Sequence, residues 1–121
     1  MKIYVAHPYG RRRNLPEYSI ATNVGLSIRA GRELIKRGHI PFIPNLYHFV
    51  DKYWDESCSE ERWAEISASW IECCDALLYC APSEGCDKEL QIAKELGKQI
   101  FYDLEEIPLG SSQEDNNSPA P

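Results

Sequence analysis

The sequence predicts an α/β fold, a small flavodoxin- or Rossmann-like parallel sheet of four or five strands with helices on both faces. Short, β-rich apolar segments alternate with stretches of helical periodicity, which is the pattern of successive βαβ units. The chain has 121 residues, 43% of them hydrophobic, which suits one domain with a single core. Right-handed crossover connections would then place helices on both faces of the sheet.

The first half of the chain predicts two strands and one helix. Residues 2–6 are β-rich with little alternation and read as a central strand, and the polar residues 7–17 read as a loop. Residues 18–37 carry apolar side chains at helical spacing, and Gly38 ends that helix. Residues 40–44 form a short second strand, whose two prolines favour an edge or strand-end position.

The second half predicts two further helices and two further strands. Residues 45–60 are a long, aromatic connection of a kind that often carries function. Residues 60–74 and 85–97 show helical spacing, and each stretch precedes an apolar strand, at 76–80 and at 98–102. We therefore expect a domain over residues 1–106. The tail, 107–121, is rich in Gly, Ser, Asn and Pro and is predicted to be disordered.

Composition limits the classes of function and partner. A formal net charge of −6 argues against general nucleic-acid binding, although residues 11–13 are three consecutive arginines. These arginines could hold a phosphate or form a solvated loop, and both interpretations stay open. No apolar run is long enough to span a bilayer, and the first residues are too short a run for a signal peptide. We expect no membrane association and a cytoplasmic location.

The five cysteines predict reduced thiols and no metal site. Their number is odd, no CxxC pair occurs, and the adjacent Cys73 and Cys74 would point to different sides of a helix. We expect small, buried, hydrophobic side chains, and neither a metal nor a redox cofactor.

The turn after the third strand is the first candidate site. Ser83 and Gly85 begin a helix at the carboxyl end of the sheet, where open α/β folds bind ligands, and the helix start offers backbone N–H groups to a phosphate or sugar oxygen. Glu89 shares a helical face with apolar residues and is predicted to point inward. The alternative is structural: Ser83 caps the helix and Glu89 interacts with its dipole.

The tip of the first strand should lie near that turn. Tyr4, His7 and Tyr9 could therefore reach the same pocket, with His7 as an acid or base or as a loop histidine with a local hydrogen bond. Asn23 lies on or beside the apolar stripe of the first helix and could bind backbone or ligand. His48 could line a base-binding pocket with its aromatic neighbours, or belong to a small satellite core.

Several segments, in this order, resemble the nucleoside 2-deoxyribosyltransferase-like superfamily over nearly residues 2–102. The segments are 3–9, Asn23-Val24, 38–44, 74–78, and Ser83-Glu84-Gly85 with Glu89 and Ala93. The most similar branch is that of small bacterial and phage proteins labelled as a domain of unknown function. The superfamily includes deoxyribosyltransferases and nucleoside 5′-monophosphate N-glycosidases.

The resemblance implies cleavage or transfer at the N-glycosidic bond of a nucleoside or nucleoside 5′-monophosphate. It places the nucleophilic carboxylate on Glu89, the first-strand tyrosine on Tyr4, and the turn that binds a 5′-phosphate on Ser83 and Gly85. It also implies a homo-oligomer, a dimer or larger, with sites completed by a neighbour.

Two departures from the family pattern bear on activity. The family usually has glycine at the position of His7, and relatives carry an active-site aspartate at the position of Ser67. Serine is a poor general acid and supplies no negative charge, so another group would have to protonate the leaving base. Two alternatives follow, a nucleotide-binding protein of the same fold with impaired catalysis, and a flavodoxin-like interaction module.

Overall fold

The sheet has four strands, and every neighbouring pair is parallel. The structure, a computed structural model, describes residues 1–10 and 14–110. The strands are β1 (Lys2–Ala6), β2 (Ile40–Phe42), β3 (Ala76–Tyr79) and β4 (Gln99–Phe101). Their spatial order is β2-β1-β3-β4, so β1 is central and β2, which contains Pro41, is an edge strand. This arrangement confirms the predicted α/β class.

Four helices connect and cover the strands. They are α1 (Glu17–Lys36), α2 (Tyr47–Asp51), α3 (Glu60–Cys73) and α4 (Glu84–Glu95). The prediction of a long connection before α3 was incomplete. The segment contains helix α2 and a 3-10 turn, Pro44–Leu46. A helix of five residues is too short to show a clear hydrophobic period, which explains why it was missed.

Strand alternation divides the buried residues between two faces of the sheet. Ile3 and Val5 belong to one cluster with Leu34 of α1. Tyr4 and Ala6 belong to the other, which includes residues of α3 and α4. Because successive side chains of a strand point to opposite faces, Tyr4 faces the α4 side of the sheet.

The C-terminal part of the domain extends beyond the predicted boundary at residue 106. Ile107 is 2% exposed and packs in the α1-side core. Pro108 O accepts a hydrogen bond from His39 Nε2 at 2.6 Å, and Gly110 N donates to Arg37 O at 2.7 Å. The boundary was therefore placed too early, since one large apolar residue anchors a segment of low mean hydropathy. Residues 111–121 of the predicted tail lie outside the described residues.

The remaining expectations concern the cysteines, the membrane and a metal site. All five cysteines are free; Cys74 and Cys86 are buried, as expected, whereas Cys73 is exposed. In the part of the chain that the structure describes, no helix is long and apolar enough to cross a membrane. Within the same residues, no group of three His, Cys, Asp or Glu side chains could hold a metal ion.

Candidate functional site

A cavity of about 410 Å³ opens at the carboxyl edge of the sheet. Its walls include the segment after β1, the end of β2, helices α2 and α3, and the start of α4. The chain leaves β1 for β2 on one side and later returns to β3 on the other. The cavity therefore lies at the point where the strand order reverses, which is the usual ligand position in open α/β sheets.

Glu89 lines this cavity and accepts a hydrogen bond from the hydroxyl of Tyr4. Tyr4 is fully buried behind Glu89, in the core between the sheet and α3 and α4. Glu89 itself is partly buried. The contact joins residues 85 positions apart, and it orients the carboxylate from the sheet side.

The environment keeps the Tyr4 hydroxyl protonated. Burial raises the pKa of Tyr4 well above its ordinary value, and the negative charge and hydrogen bond of Glu89 raise it further. A hydrogen bond with Ser67 acts in the opposite direction on the pKa of Tyr4. Tyr4 is therefore a constant hydrogen-bond donor to Glu89 near neutral pH, and Ser67 belongs to the same network.

Ser83 and Gly85 form the cavity wall at the start of α4. Ser83 Oγ accepts from Cys86 N at 3.0 Å and caps the helix. A Cβ atom added at Gly85 would meet no atom within 4 Å, so packing does not require glycine there. The capping role of Ser83 occurs in the structure, and the open space at Gly85 leaves the backbone accessible from the cavity.

Four aromatic side chains build one wall of the cavity. Phe42 and Trp70 stack with ring centroids 4.2 Å apart and planes inclined by 17°. Tyr47 meets Trp63 edge-on at 5.8 Å, and its hydroxyl accepts from Trp70 Nε1 at 3.0 Å. This aromatic wall, Phe42, Tyr47, Trp63 and Trp70, offers the flat apolar surface on which a planar ring can stack.

The segment after β1 is held by side-chain amides. Pro8 O accepts from Asn45 Nδ2 at 3.1 Å and from His7 Nδ1 at 2.9 Å, so His7 carries its proton on Nδ1. Tyr9 O accepts from Asn23 Nδ2 at 3.1 Å. These bonds fix residues 8 and 9 at the mouth of the cavity.

Tyr9 and His48 are paired across the cavity wall. The Tyr9 hydroxyl and His48 Nδ1 share a hydrogen bond of 2.7 Å, and the rings meet edge-on. His48 is 5% exposed, while Tyr9 is partly exposed, and both line the cavity. The two interpretations of His48, a residue of a small core and a residue of the pocket, are thus compatible, because His48 is buried and also forms part of the cavity wall.

Charge on the lining residues is mostly negative. Among the described residues, the carboxylates of the cavity are Asp51, Glu60, Glu84 and Glu89, and its one ammonium is that of Lys88. Lys88 Nζ lies 3.1 Å from Glu84 Oε1 in an ion pair across one helical turn. The arginines at 11–13, proposed above to hold a phosphate, lie outside the described residues.

The structure brings most of the predicted site residues to one cavity. Its lining includes His7, Tyr9, His48, Ser67, Ser83, Gly85 and Glu89. Tyr4 contacts Glu89 from behind, and Asn23 supports the Tyr9 backbone from α1. His7 also borders a second, shallower groove on the α1 side, which Glu89 does not reach.

Sequence reasoning did not assign site roles to Phe42, Trp63, Trp70 and Asn45. Trp63 and Trp70 were recognised only as a helical face, and Phe42 only as a strand residue. Tyr53 and Trp54, two of the aromatic neighbours of His48 in the long connection, do not line the cavity. The sequence does carry one signal for this wall, an aromatic residue on the edge strand followed by two tryptophans on one helix. The spacing of these residues does not show which of the rings are in contact.

Comparison with solved structures identifies the fold. A 2-deoxyribosyltransferase from Leishmania mexicana aligns with a TM-score of 0.55 and 19% identity over 82% of this chain. A 2-deoxyribosyltransferase from Bacillus psychrosaccharolyticus aligns with a TM-score of 0.56 and 21% identity over 83% of this chain. The chain spans 61% and 69% of the lengths of these two proteins. The chain therefore has the fold seen in 2-deoxyribosyltransferases.

Comparison by sequence is more specific about the family. No curated protein matches the chain. A family model described as "Domain of unknown function (DUF7768)" matches residues 1–103, which include β1 to β4, α1 to α4 and every described residue of the cavity wall. The chain belongs to this DUF7768 family.

Proposed function

We propose that this protein cleaves the N-glycosidic bond of a nucleoside and passes the sugar to water or to a second base, with Glu89 as the nucleophile. The observation that carries the proposal is the Tyr4–Glu89 hydrogen bond at the wall of a cavity at the sheet's carboxyl edge. A partly buried carboxylate with a fixed donor and an open face toward a ligand-sized space is suited to attack on carbon. The deoxyribosyltransferase fold supports the same assignment.

The chemistry proceeds in two displacements. A Glu89 carboxylate oxygen bonds to the anomeric carbon through an oxocarbenium-like transition state, while the bond from that carbon to the base nitrogen breaks. The electron pair stays on the base nitrogen, which takes up a proton. Water or a second base then attacks the anomeric carbon and releases the carboxylate, which gives hydrolysis or transfer respectively.

The aromatic wall is the proposed position of the base. Stacking on the Phe42–Trp70 pair or against Tyr47 would hold the planar ring while the sugar lies toward Glu89. Orientation of the anomeric carbon against the carboxylate supplies much of the rate enhancement of such a reaction. The wall therefore holds the leaving base in place while its bond to the anomeric carbon breaks.

The charge of the cavity favours an uncharged nucleoside over its 5′-monophosphate. Glu84 would repel a phosphate dianion at the start of α4, and Lys88, the ammonium among the described lining residues, is already paired with Glu84. Ser83 and Gly85 would then contact a sugar hydroxyl. The 5′-monophosphate stays the alternative substrate, for which the three arginines at 11–13 are the candidate ligands.

A base-release screen tests the proposal. Purified protein is incubated with deoxynucleosides, ribonucleosides and their 5′-monophosphates, and free base is measured by chromatography. Glu89→Gln, which keeps the side-chain shape, should lower base release by at least about 1,000-fold. Glu95→Gln, an exposed residue of the same helix outside the cavity, is the matched control and should match the unmodified protein.

A second candidate function is nucleotide binding without turnover. It is favoured by Ser67, which stands where relatives of the superfamily carry an aspartate and which is engaged with Tyr4. The same screen separates the two functions. No base release from any substrate, together with thermal stabilisation by a nucleoside or nucleotide, would reject catalysis and support binding.

The homo-oligomer and the cytoplasmic location implied above stay predictions. Helix α2 presents Phe49 and Val50, which are 59% and 55% exposed, and such apolar side chains are consistent with a partner surface. A plain interaction module stays the third alternative and would show neither base release nor nucleoside binding.

A further inference from the structure

The proposed reaction leaves one chemical requirement unmet by Glu89 and Tyr4. A departing base carries an electron pair that must be protonated, and Tyr4 is directed to Glu89. Ser67, at the position where relatives carry an acid, has a hydroxyl, which is a poor general acid. The donor to the base must therefore lie elsewhere on the cavity wall.

The Tyr9–His48 pair has the geometry of such a donor. Its hydrogen bond of 2.7 Å joins a phenol to an imidazole nitrogen, and both groups line the same cavity as Glu89. Tyr9 is the more exposed of the two, and His48 is 95% buried behind it. This order places the phenol toward a ligand and the imidazole toward the protein.

Neighbouring residues fix the position of the pair. Asn23 on α1 binds the backbone of Tyr9, and Asn45 binds the backbone of Pro8 immediately before it. Phe49 contacts the His48 ring edge-on with centroids 5.2 Å apart. A hydrogen-bonded group that is held from both sides is preorganised, so little reorganisation would be needed when a proton moves.

We propose that Tyr9 and His48 form the proton relay that protonates the leaving base, in place of the acid missing at Ser67. This inference rests on the function proposed above. Tyr9 is the catalytic residue that contacts the base, and His48 is a positioning residue that acts through Tyr9.

The protons of the relay balance over the two displacements. In the proposed relay His48 starts with a proton on both ring nitrogens and donates through Nδ1 to the Tyr9 oxygen. As the bond from the anomeric carbon to the base nitrogen breaks, the Tyr9 O–H proton moves to that nitrogen, and the Nδ1 proton of His48 moves to the Tyr9 oxygen. The phenol is restored, His48 becomes neutral, and Glu89 becomes an ester. When water attacks the anomeric carbon, the bond from that carbon to the Glu89 oxygen breaks, one water proton returns through Tyr9 to His48, and Glu89 regains its charge.

The decisive experiment compares two leaving groups on the same sugar. One substrate is the nucleoside that the screen identifies, and the other is the 4-nitrophenyl glycoside of the same sugar, whose leaving group departs as a stable anion and needs no proton. Kinetics are measured for Tyr9→Phe, His48→Gln and Glu89→Gln. Tyr53→Phe, at a side chain that is 91% exposed, is the matched tyrosine control.

The relay predicts selective losses. Tyr9→Phe and His48→Gln should each lower kcat on the nucleoside by about 100-fold or more with little change in KM, and lower kcat on the aryl glycoside by less than about 5-fold. Gln at position 48 can still hydrogen-bond to Tyr9 but supplies no acidic proton. Glu89→Gln should abolish turnover of both substrates.

Two results would overturn the inference in different ways. If Glu89→Gln abolishes both activities while Tyr9→Phe and His48→Gln affect both substrates equally or neither, the relay is wrong and the glycosidase function stands. If no variant-sensitive cleavage of either substrate exists, the proposed function fails and the relay fails with it. Circular dichroism spectra and melting temperatures of each variant show whether a loss reflects unfolding.

Discussion

The Tyr4–Glu89 contact can be tested without knowing the substrate. Tyr4→Phe removes one hydroxyl from a fully buried side chain and leaves its ring packing in place. The hydroxyl donates to a carboxylate, and hydrogen bonds to charged groups contribute about 1.5–3 kcal/mol. We therefore expect a loss of about 1.5–3 kcal/mol in the free energy of unfolding.

A double-mutant cycle isolates the part that belongs to the pair. Tyr4→Phe, Glu89→Ala and the double variant are unfolded in urea and followed by far-ultraviolet circular dichroism, with equal m-values as the condition for comparison. Residues in direct contact typically couple by about 0.5–3 kcal/mol, and a buried donor to a carboxylate should give about 1–2 kcal/mol. The same cycle with Tyr53→Phe should give no coupling, since Tyr53 is 91% exposed.

Additivity would refute the reasoning. If the effects of Tyr4→Phe and Glu89→Ala add within about 0.5 kcal/mol, the two side chains do not interact in solution as they do in the structure. Glu89 would then lack its fixed donor, and the geometric argument for its role as nucleophile would lose its main support.

Two further predictions concern stability. Ile107→Ala removes a core side chain that is 2% exposed and should lower the free energy of unfolding in urea by about 2–5 kcal/mol. Leu109→Ala, at a side chain that is 48% exposed, is the control and should lower it by less than about 1 kcal/mol. Equal effects of the two substitutions would place residue 107 outside the core. Burial raises the pKa of Cys86 to about 12 and that of Cys80 to about 11 from an ordinary 9.0, so the folded state holds protons that the unfolded state loses first. The melting temperature should therefore fall as pH rises above about 9, and Cys86→Ala should show a shallower fall; an unchanged slope would show that the Cys86 thiol does not contribute.

The relative placement of strands and helices was predictable because each element carries a local signal. The apolar runs at residues 2–6 and 76–80, the period of α1 and the prolines around β2 indicated a parallel sheet with β2 at its edge, and the structure has that sheet. Short elements escaped prediction. Helix α2 has only five residues, and the burial of Ile107 depends on a cleft beside α1 that no local pattern describes.

The candidate site was predictable in part for the same reason. Helix spacing indicates that Glu89 faces inward, but its contact with Tyr4 depends on how α4 packs over β1. The long aromatic connection was recognised as a region that often carries function. Which of its rings form the wall was decided by packing, since Tyr47 joins the cavity while Tyr53 is exposed.

The sequence by itself determined the α/β class, the strand–helix order and the inward side of Glu89, because these depend on periodicity and on turn residues close together in the chain. The tertiary structure alone decided that Tyr9 and His48, 39 residues apart, share a hydrogen bond, and that Asn23 and Asn45 hold the segment beside them. Such contacts join residues from different elements, and their distances depend on how the sheet and helices pack together. No local pattern in the chain contains that information.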